Sequence, residues 1–335
     1  MKIGVLGAGS WGTTLANLLA KKGYPVTLWA YEADLVERIR TQRINDLYLP
    51  GIPLAETLTA TNDPGAAVRD KDLVLLVPPS QLMRRVVGAV AEQIGAQTLI
   101  VSASKGIENE TLMTMSELLE EVLPPSLRRH TAFLSGPSFA RETATELPTA
   151  VVAAAKDESL ARQVQTIFAT DYFRVYTNSD VIGVELAGAL KNVMALAAGV
   201  ADGLGFGYNS RAALITRGLT EMTRIGLAKG AQAETFAGLA GMGDLVLTCT
   251  GDLSRNRSVG IELGRGRALE EILGEMNMVA EGVKTTLSAW QLAQKLNVEA
   301  PIIEQMFRIL YENIDPRQAV SELMGRAPKA EKLSR

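Results

Sequence analysis

Through the first half of the chain, short apolar runs alternate with stretches of helical spacing. The apolar runs predict strands over 2–6, 25–29, 58–61, 73–77, 98–102, 131–134, 149–154 and 173–176. Helices fit between several of them, over 11–22, 32–40, 81–94, 111–123 and 158–168. Runs such as LVLLV at 73–77 show no polar alternation, the mark of a strand covered on both faces in a parallel sheet. Strand–helix alternation of this kind predicts a doubly wound α/β domain. After about residue 178 the strand pattern stops. Helices are predicted over 181–201, 209–229, 234–240, 283–296 and 301–313, punctuated by glycine clusters at 203–207, 241–243 and 264–266. The expected division is an α/β domain over 1–178 and an all-α domain over 179–335.

One of these helices carries an anomaly. Residues 181–201 read VIGVELAGALKNVMALAAGVA, and their only strongly polar members are Glu185, Lys191 and Asn192. A lone ammonium buried in such a run costs several kcal/mol unless something pairs with it. Desolvation also lowers a lysine's pKa toward the range where it exchanges protons at neutral pH. The plainer reading is a lysine at the edge of a core helix that extends its head to water. The run is long enough to span a bilayer. Glu185 and Lys191 fall on different faces, however, and the Ala and Gly content suits packing inside a protein, so no membrane span is expected.

Composition narrows the classes. Hydrophobic residues make up 47% and charged residues 21%, which supports a large core over 335 residues. The formal net charge of −3 gives no basic footprint for nucleic acid. A single cysteine, Cys249, excludes an internal disulfide framework and fits a reducing compartment. A single histidine, His130, excludes a histidine metal cluster and reads as a surface residue. The first residues, MKIGVLGAGS, enter a strand with no basic leader or apolar signal core, so a cytoplasmic location is expected.

Gly7-Ala8-Gly9-Ser10-Trp11-Gly12 matches G-x-G-x-x-G, between the first predicted strand and first helix. The glycines permit a tight turn, close approach of backbone to a pyrophosphate, and helix–strand packing. The helix start supplies amides and positive dipole for the phosphates. The α/β domain is thus expected to be a Rossmann-like, dinucleotide-binding one. Glu32, beside Tyr31 at the end of the second strand, stands near the place of a ribose-binding acid and leans toward NAD. Arg38 and Arg43 lie nearby and offer charge for the 2′-phosphate of NADP.

Further polar clusters interrupt apolar or glycine-rich sequence. SASKGIE at 102–108 and LSGPSFARE at 134–142 follow predicted strands, at the carboxyl edge where α/β ligands bind. Asp244 follows a Gly-Met-Gly turn, and Ser254-Arg255-Asn256 combines a hydroxyl, a guanidinium and an amide suited to a phosphate oxyanion. Each also has a plain reading: Asp244, Ser254 and Asn256 as helix caps, Arg255 as a surface charge.

Together the GAGSWGTTLA loop, VPPSQ at 77–81, the clusters above, GVELAGALKNVMALAAGVADGLG at 183–205, NSRAALITRGLTEM at 209–222, GLAGMGDLVLTCTGDLSRNRSVG at 238–260 and VAEGV at 279–283 resemble the bacterial NAD(P)-dependent glycerol-3-phosphate dehydrogenases. The resemblance spans nearly the whole chain. It implies hydride transfer between sn-glycerol 3-phosphate and dihydroxyacetone phosphate, supplying glycerol 3-phosphate for phospholipid synthesis. It implies Lys191 as proton donor and acceptor. It implies Lys105, Gly136, Ser138, Lys191, Asp244, Ser254, Arg255 and Asn256 as substrate-binding. Ser10, Trp11, Lys105, Ala140, Arg255, Val279 and Glu281 would contact the cofactor, NAD or NADP, beside the loop glycines Gly7, Gly9 and Gly12. Tyr48, in the Tyr-Leu-Pro-Gly segment, would line the same site. A homodimer and a small phosphorylated substrate are implied, with no metal. The sequence departs from the family's usual pattern at Tyr31-Glu32, where a basic residue often stands, and at Pro78-Pro79. Two other readings stay open on the residues: a reductase of the ketopantoate type, whose substrate carries a carboxylate, and a dinucleotide sensor without catalysis.

Overall fold

All eight apolar runs of the first half become strands of one sheet: β1 (Ile3–Leu6), β2 (Val26–Trp29), β3 (Leu58–Thr61), β4 (Leu73–Leu76), β5 (Leu99–Ser102), β6 (Thr131–Ser135), β7 (Thr149–Ala154) and β8 (Phe173–Asn178). The computed structural model describes residues 1–276, 280–328 and 330–331. Contacts within it divide the chain into two compact units, one of residues 1–105 and 115–181, the other of 106–114 and 182 onward.

The first unit holds the sheet, in the order β3-β2-β1-β4-β5-β6-β7-β8. Neighbours from β3 through to β6 are parallel, the Rossmann-like α/β arrangement expected. β7 departs from that expectation and runs antiparallel to β6. The link between them carries only the five-residue helix Ala140–Ala144. Such a helix covers about 7.5 Å, too little to return along a strand of about 17 Å. The eleven-residue helix Glu158–Phe168 is long enough, and β8 is parallel to β7. Asp157 caps that helix by accepting from the Ser159 amide at 2.8 Å. One face of the sheet buries Val5, Leu75 and Val101 with Leu15 and Leu19 of the Ser10–Lys21 helix and Phe168.

Two predicted helices of this unit are shorter than their apolar spacing suggests. The 81–94 stretch breaks into a turn over Ser80–Leu82, a helix over Met83–Gly88 and a turn over Ala91–Gln93, with the weak helix former Gly88 at the break. The 111–123 stretch starts only at Met115. Leu112 is left-handed (φ 61°), and the Thr111 hydroxyl donates to the Glu108 carboxylate at 2.6 Å. Residues 106–114 instead belong to the second unit, where Ile107 is fully buried and its carbonyl accepts from Ser288 at 3.3 Å.

The second unit is helical and packs around the Val181–Gly203 helix. That helix meets the Arg255–Gly264 helix backbone to backbone. A Cβ at Gly199 would lie 2.1 Å from the Arg257 carbonyl oxygen, and one at Gly260 would lie 2.1 Å from that of Leu196. Gly203 and Gly264 repeat the contact one turn on, at 2.2 Å from Ile261 O and 2.4 Å from Val200 O. Short helices over Asp244–Thr250, Leu269–Gly274 and Pro316–Met324 lie outside the predicted set, since each is too brief to show a period.

Glu221, on the Tyr208–Ala228 helix, caps another helix from outside its own chain segment. Its carboxylate accepts from the Ile302 amide at 2.9 Å and the Ile303 amide at 3.2 Å, at the start of the Pro301–Tyr311 helix. Glu221→Gln would turn an amide NH2 toward those donors. The expected cost is about 1–3 kcal/mol, read from the urea midpoint. Burial pushes the Glu221 carboxyl up from 4.5 to about 8, against the lowering effect of the two amides and of Arg224 and Arg217. The folded chain therefore keeps a proton that the unfolded chain releases near the ordinary value. The stability this proton supplies is full at low pH and is lost as pH rises toward the folded value. The native chain should lose on the order of a few kcal/mol between roughly pH 5 and pH 8 that Glu221→Gln does not. Equal slopes for the two proteins would refute this.

Candidate active site

The glycine loop joins β1 to the Ser10–Lys21 helix, and its three glycines answer to different constraints. Gly7 has φ +113°, and a Cβ there would lie 2.7 Å from the Val77 carbonyl oxygen. A Cβ at Gly12 would lie 1.9 Å from Gly7 O. Both positions are glycine because the fold leaves no room. Gly9 is otherwise: its φ of −64° and ψ of 177° suit any residue, and a Cβ there meets nothing within 4 Å. Gly9 is also the helix N-cap, with no side-chain cap bond and no acid in the first turn, so the dipole end stays uncompensated.

Side chains from a distant segment brace this loop. Asn45, fully buried, donates to Ala8 O at 2.8 Å and Thr13 Oγ1 at 2.7 Å. Ser10 donates to Tyr48 O at 2.6 Å, and Thr14 reaches Ala140 O at 3.2 Å. Trp11 is half-buried against Phe173, its ring 6.3 Å away. The Tyr48 hydroxyl donates to Glu32 at 2.8 Å, and burial together with that carboxylate pushes the phenol up to about 12. Tyr31 is 79% exposed. The two nearby arginines are committed elsewhere. Arg38 pairs with Asp34 and Asp46, and Arg43 donates to Leu58 O and Glu56 O.

At the carboxyl ends of β5 and β6, Lys105 Nζ donates to Gly136 O at 3.0 Å, and Ser138 donates to the same oxygen at 3.0 Å. Gly136 has φ +133°, with its Cβ position 3.0 Å from the Val151 Cα. Ser102 and Ser135, the last residues of these strands, have buried hydroxyls with no partner among the described residues.

The remaining candidates lie in the helical unit. Lys191 is 7% exposed, so its head is not in water. Its ammonium contacts the Asp244 carboxylate and lies 2.9 Å from Thr248 Oγ1. Thr248 sits one turn after Asp244 on the same helix and donates its own hydrogen to Asp244 O at 2.6 Å. Its oxygen therefore turns a lone pair toward the ammonium. Cys249 follows, buried, its thiol pushed up to about 12 by desolvation and so kept neutral. Asn256 is buried too: its Oδ1 accepts from the Gly282 amide at 3.0 Å, so its Nδ2 is the group that donates to Asn192 Oδ1 at 3.0 Å. Ser254 caps the Arg255–Gly264 helix by accepting from the Arg257 amide at 3.3 Å, while Arg255 in its first turn is exposed. Glu281 opens the Glu281–Lys295 helix. Val279 lies outside the described residues.

Asn45 and Thr248 were not among the residues singled out from sequence, and Asn192, noted as a polar member of the apolar run, was given no role there. Thr248 carries a usable signal, the i, i+4 spacing from Asp244, once a helix is known to start there. Among the described residues no group of three or more His, Cys, Asp or Glu is placed to hold a metal ion. The Val181–Gly203 helix is long and apolar enough to cross a membrane by composition, but 89% of its most apolar stretch is buried inside the protein.

Models of the NAD-dependent glycerol-3-phosphate dehydrogenase N-terminus and C-terminus match residues 2–161 and 180–321. A protein from Syntrophotalea carbinolica named glycerol-3-phosphate dehydrogenase, NAD(P)+, is 65% identical over 331 residues, 99% of either chain. One of the same name from Citrifermentans bemidjiense is 66% identical over 330 residues, 98% of either chain. A crystal structure of glycerol-3-phosphate dehydrogenase from Coxiella burnetii superposes with a TM-score of 0.91 at 44% identity, over 97% of this chain and 99% of that one. The chain thus belongs to the family of NAD-dependent glycerol-3-phosphate dehydrogenases.

Proposed function

We propose that the chain interconverts sn-glycerol 3-phosphate and dihydroxyacetone phosphate with NAD(P)(H), and that Lys191 moves the proton. The buried contact of Lys191 with Asp244 and Thr248 carries this reading. NAD(P)H, when bound, supplies the hydride for the ketone carbon. Reduction leaves charge developing on the ketone oxygen, which needs a positive group and a proton at once. Lys191 offers both, and in the reverse direction takes the proton back. Asp244 and Thr248 fix where the ammonium points. Arg255, exposed at the start of its helix, with Ser254 and the first-turn amides, suits the phosphate. Asn256 acts from behind, through Asn192 and Gly282. Lys105, Gly136 and Ser138 complete the substrate set.

The cofactor falls to Gly7, Gly9, Ser10, Trp11, Gly12, Tyr31, Glu32, Tyr48, Lys105 and Ala140, with Arg255, Val279 and Glu281 from the helical unit. The bare Gly9 position, the uncapped helix start and the orphan hydroxyls of Ser102 and Ser135 fit a bound dinucleotide. On this reading residues 1–178 hold the cofactor and 179–335 supply the proton and the phosphate anchor. A homodimer in the cytoplasm belongs to the same reading, on the family resemblance.

Three outcomes are expected. Lys191→Ala should lower kcat for dihydroxyacetone phosphate by about 10²–10⁴-fold and leave the KM for NADH in place; full turnover would sink the assignment. Gly9→Ala should keep its melting temperature and raise the KM for NADH. Gly12→Ala, with its Cβ driven into Gly7 O, should lose the native fold in a thermal melt. The opposite ranking would show that Gly9 serves packing. Glu32 at the ribose position, with Arg38 and Arg43 committed elsewhere, should favour NADH over NADPH. Initial rates with the two cofactors check this, and Glu32→Gln should narrow the gap.

A further inference from the structure

We infer that Asp202 is a positioning residue for the substrate's phosphate, acting through Arg257. The inference rests on the proposed phosphate anchor at Ser254–Arg255. Asp202 lies on the Val181–Gly203 helix about three turns after Lys191, hence on the same side of it. Its half-buried carboxylate holds two guanidinium groups. Oδ2 accepts from Arg257 Nε at 2.8 Å, and Oδ1 accepts from Arg211 Nε at 3.0 Å and Nη2 at 2.5 Å. The Asp202 side chain is 9% exposed and that of Arg257 13%.

Arg257 is held at both ends. Its guanidinium goes to Asp202, and its backbone N–H goes to the Ser254 hydroxyl. Its other carboxylate, Asp252, is 97% exposed and contributes little as an anchor. Asp202 therefore fixes the Arg257 side of the first helical turn, which carries Arg255, while the Asn256–Asn192 bond ties its other side. The glycine contacts fix the axis of the Arg255–Gly264 helix against the Lys191 helix, but a helix held by glycine backbone can still shift along its groove. The Asp202–Arg257 pair and the Asn256–Asn192 bond resist that shift. The pair holds Arg255 where it meets the phosphate, so its loss weakens the grip on the phosphate ester while Lys191, held by Asp244 and Thr248, stays in place.

The test compares two substrates, dihydroxyacetone phosphate and dihydroxyacetone, which lacks the phosphate. Asp202→Asn keeps the shape and removes the charge. The KM for dihydroxyacetone phosphate should rise at least about tenfold. The kcat should stay within a few-fold, and the KM for NADH and kcat/KM for dihydroxyacetone should stay at the native level. A general lesion would move all four together. Arg257→Gln, which leaves Asp202 its two bonds to Arg211, should show the same selective loss, and it carries the test should Asp202→Asn fail to fold. A native KM for the phosphate ester in the variants, an equal loss on both substrates, or failure of both variants to fold overturns the inference. Native protein that turns over neither substrate overturns the proposed function itself; native turnover with an unselective variant overturns only the role of Asp202.

Discussion

A buried ammonium must be paired, and the arrangement of the helical unit follows from how Lys191 meets that demand. Leaving a charge alone in an apolar helix core would cost several kcal/mol. The partner must come from another helix, because nothing within reach on the Val181–Gly203 helix is acidic at the right spacing. The Asp244–Thr250 helix supplies it. Asp244 brings charge, and Thr248, one turn on, brings a lone pair whose direction is set by the hydroxyl's own bond to Asp244 O. An ammonium held this way has a fixed position and direction, which a lysine reaching into water does not.

Asp244, Asp202 and Glu221, carboxylates largely withdrawn from water in this unit, solve the same problem with different chemistries. Asp244 takes an ammonium, Asp202 takes two guanidinium groups, and Glu221 takes backbone amides at a helix start. The differences track function. Glu221 has no full charge bonded to it, so desolvation prevails and its carboxyl is pushed up to about 8. A group in that state can hold a helix but makes a poor electrostatic fixture at neutral pH. Asp202 and Asp244 bond to guanidinium and ammonium side chains, and it is these two that stand beside residues proposed to meet substrate.

Much of this was legible in the sequence. Each of the eight strands lies where an apolar run places it, within two residues, because a strand covered on both faces leaves an unbroken signature. The reversal of β7 was not legible, since it turns on the length of a five-residue helix that residues 140–144 do not announce. Lys191 stood out because its neighbours are apolar. Asn45, Thr248 and Asp202 did not, because each has a decisive partner 37, 57 and 55 residues away, and the nearer partners of Thr248 and Asp202 show only once the helices are known. Polar residues announce themselves by contrast with the local pattern; pairing across the fold leaves no such contrast.

The glycines show how packing and function separate at the level of single atoms. Gly7, Gly12, Gly199 and Gly260 sit where a methyl group would collide with a backbone carbonyl, so the fold alone accounts for them. Gly9 shares the motif and the sequence context of Gly7 and Gly12, yet its surroundings are open and its backbone conformation is ordinary. Glycine costs conformational entropy wherever it is not needed, about 0.5–1 kcal/mol in regular structure. On the proposed function, Gly9, which the fold does not require, leaves the backbone open to something that approaches it from outside the chain. The phosphates of a dinucleotide have the charge and the shape to do so.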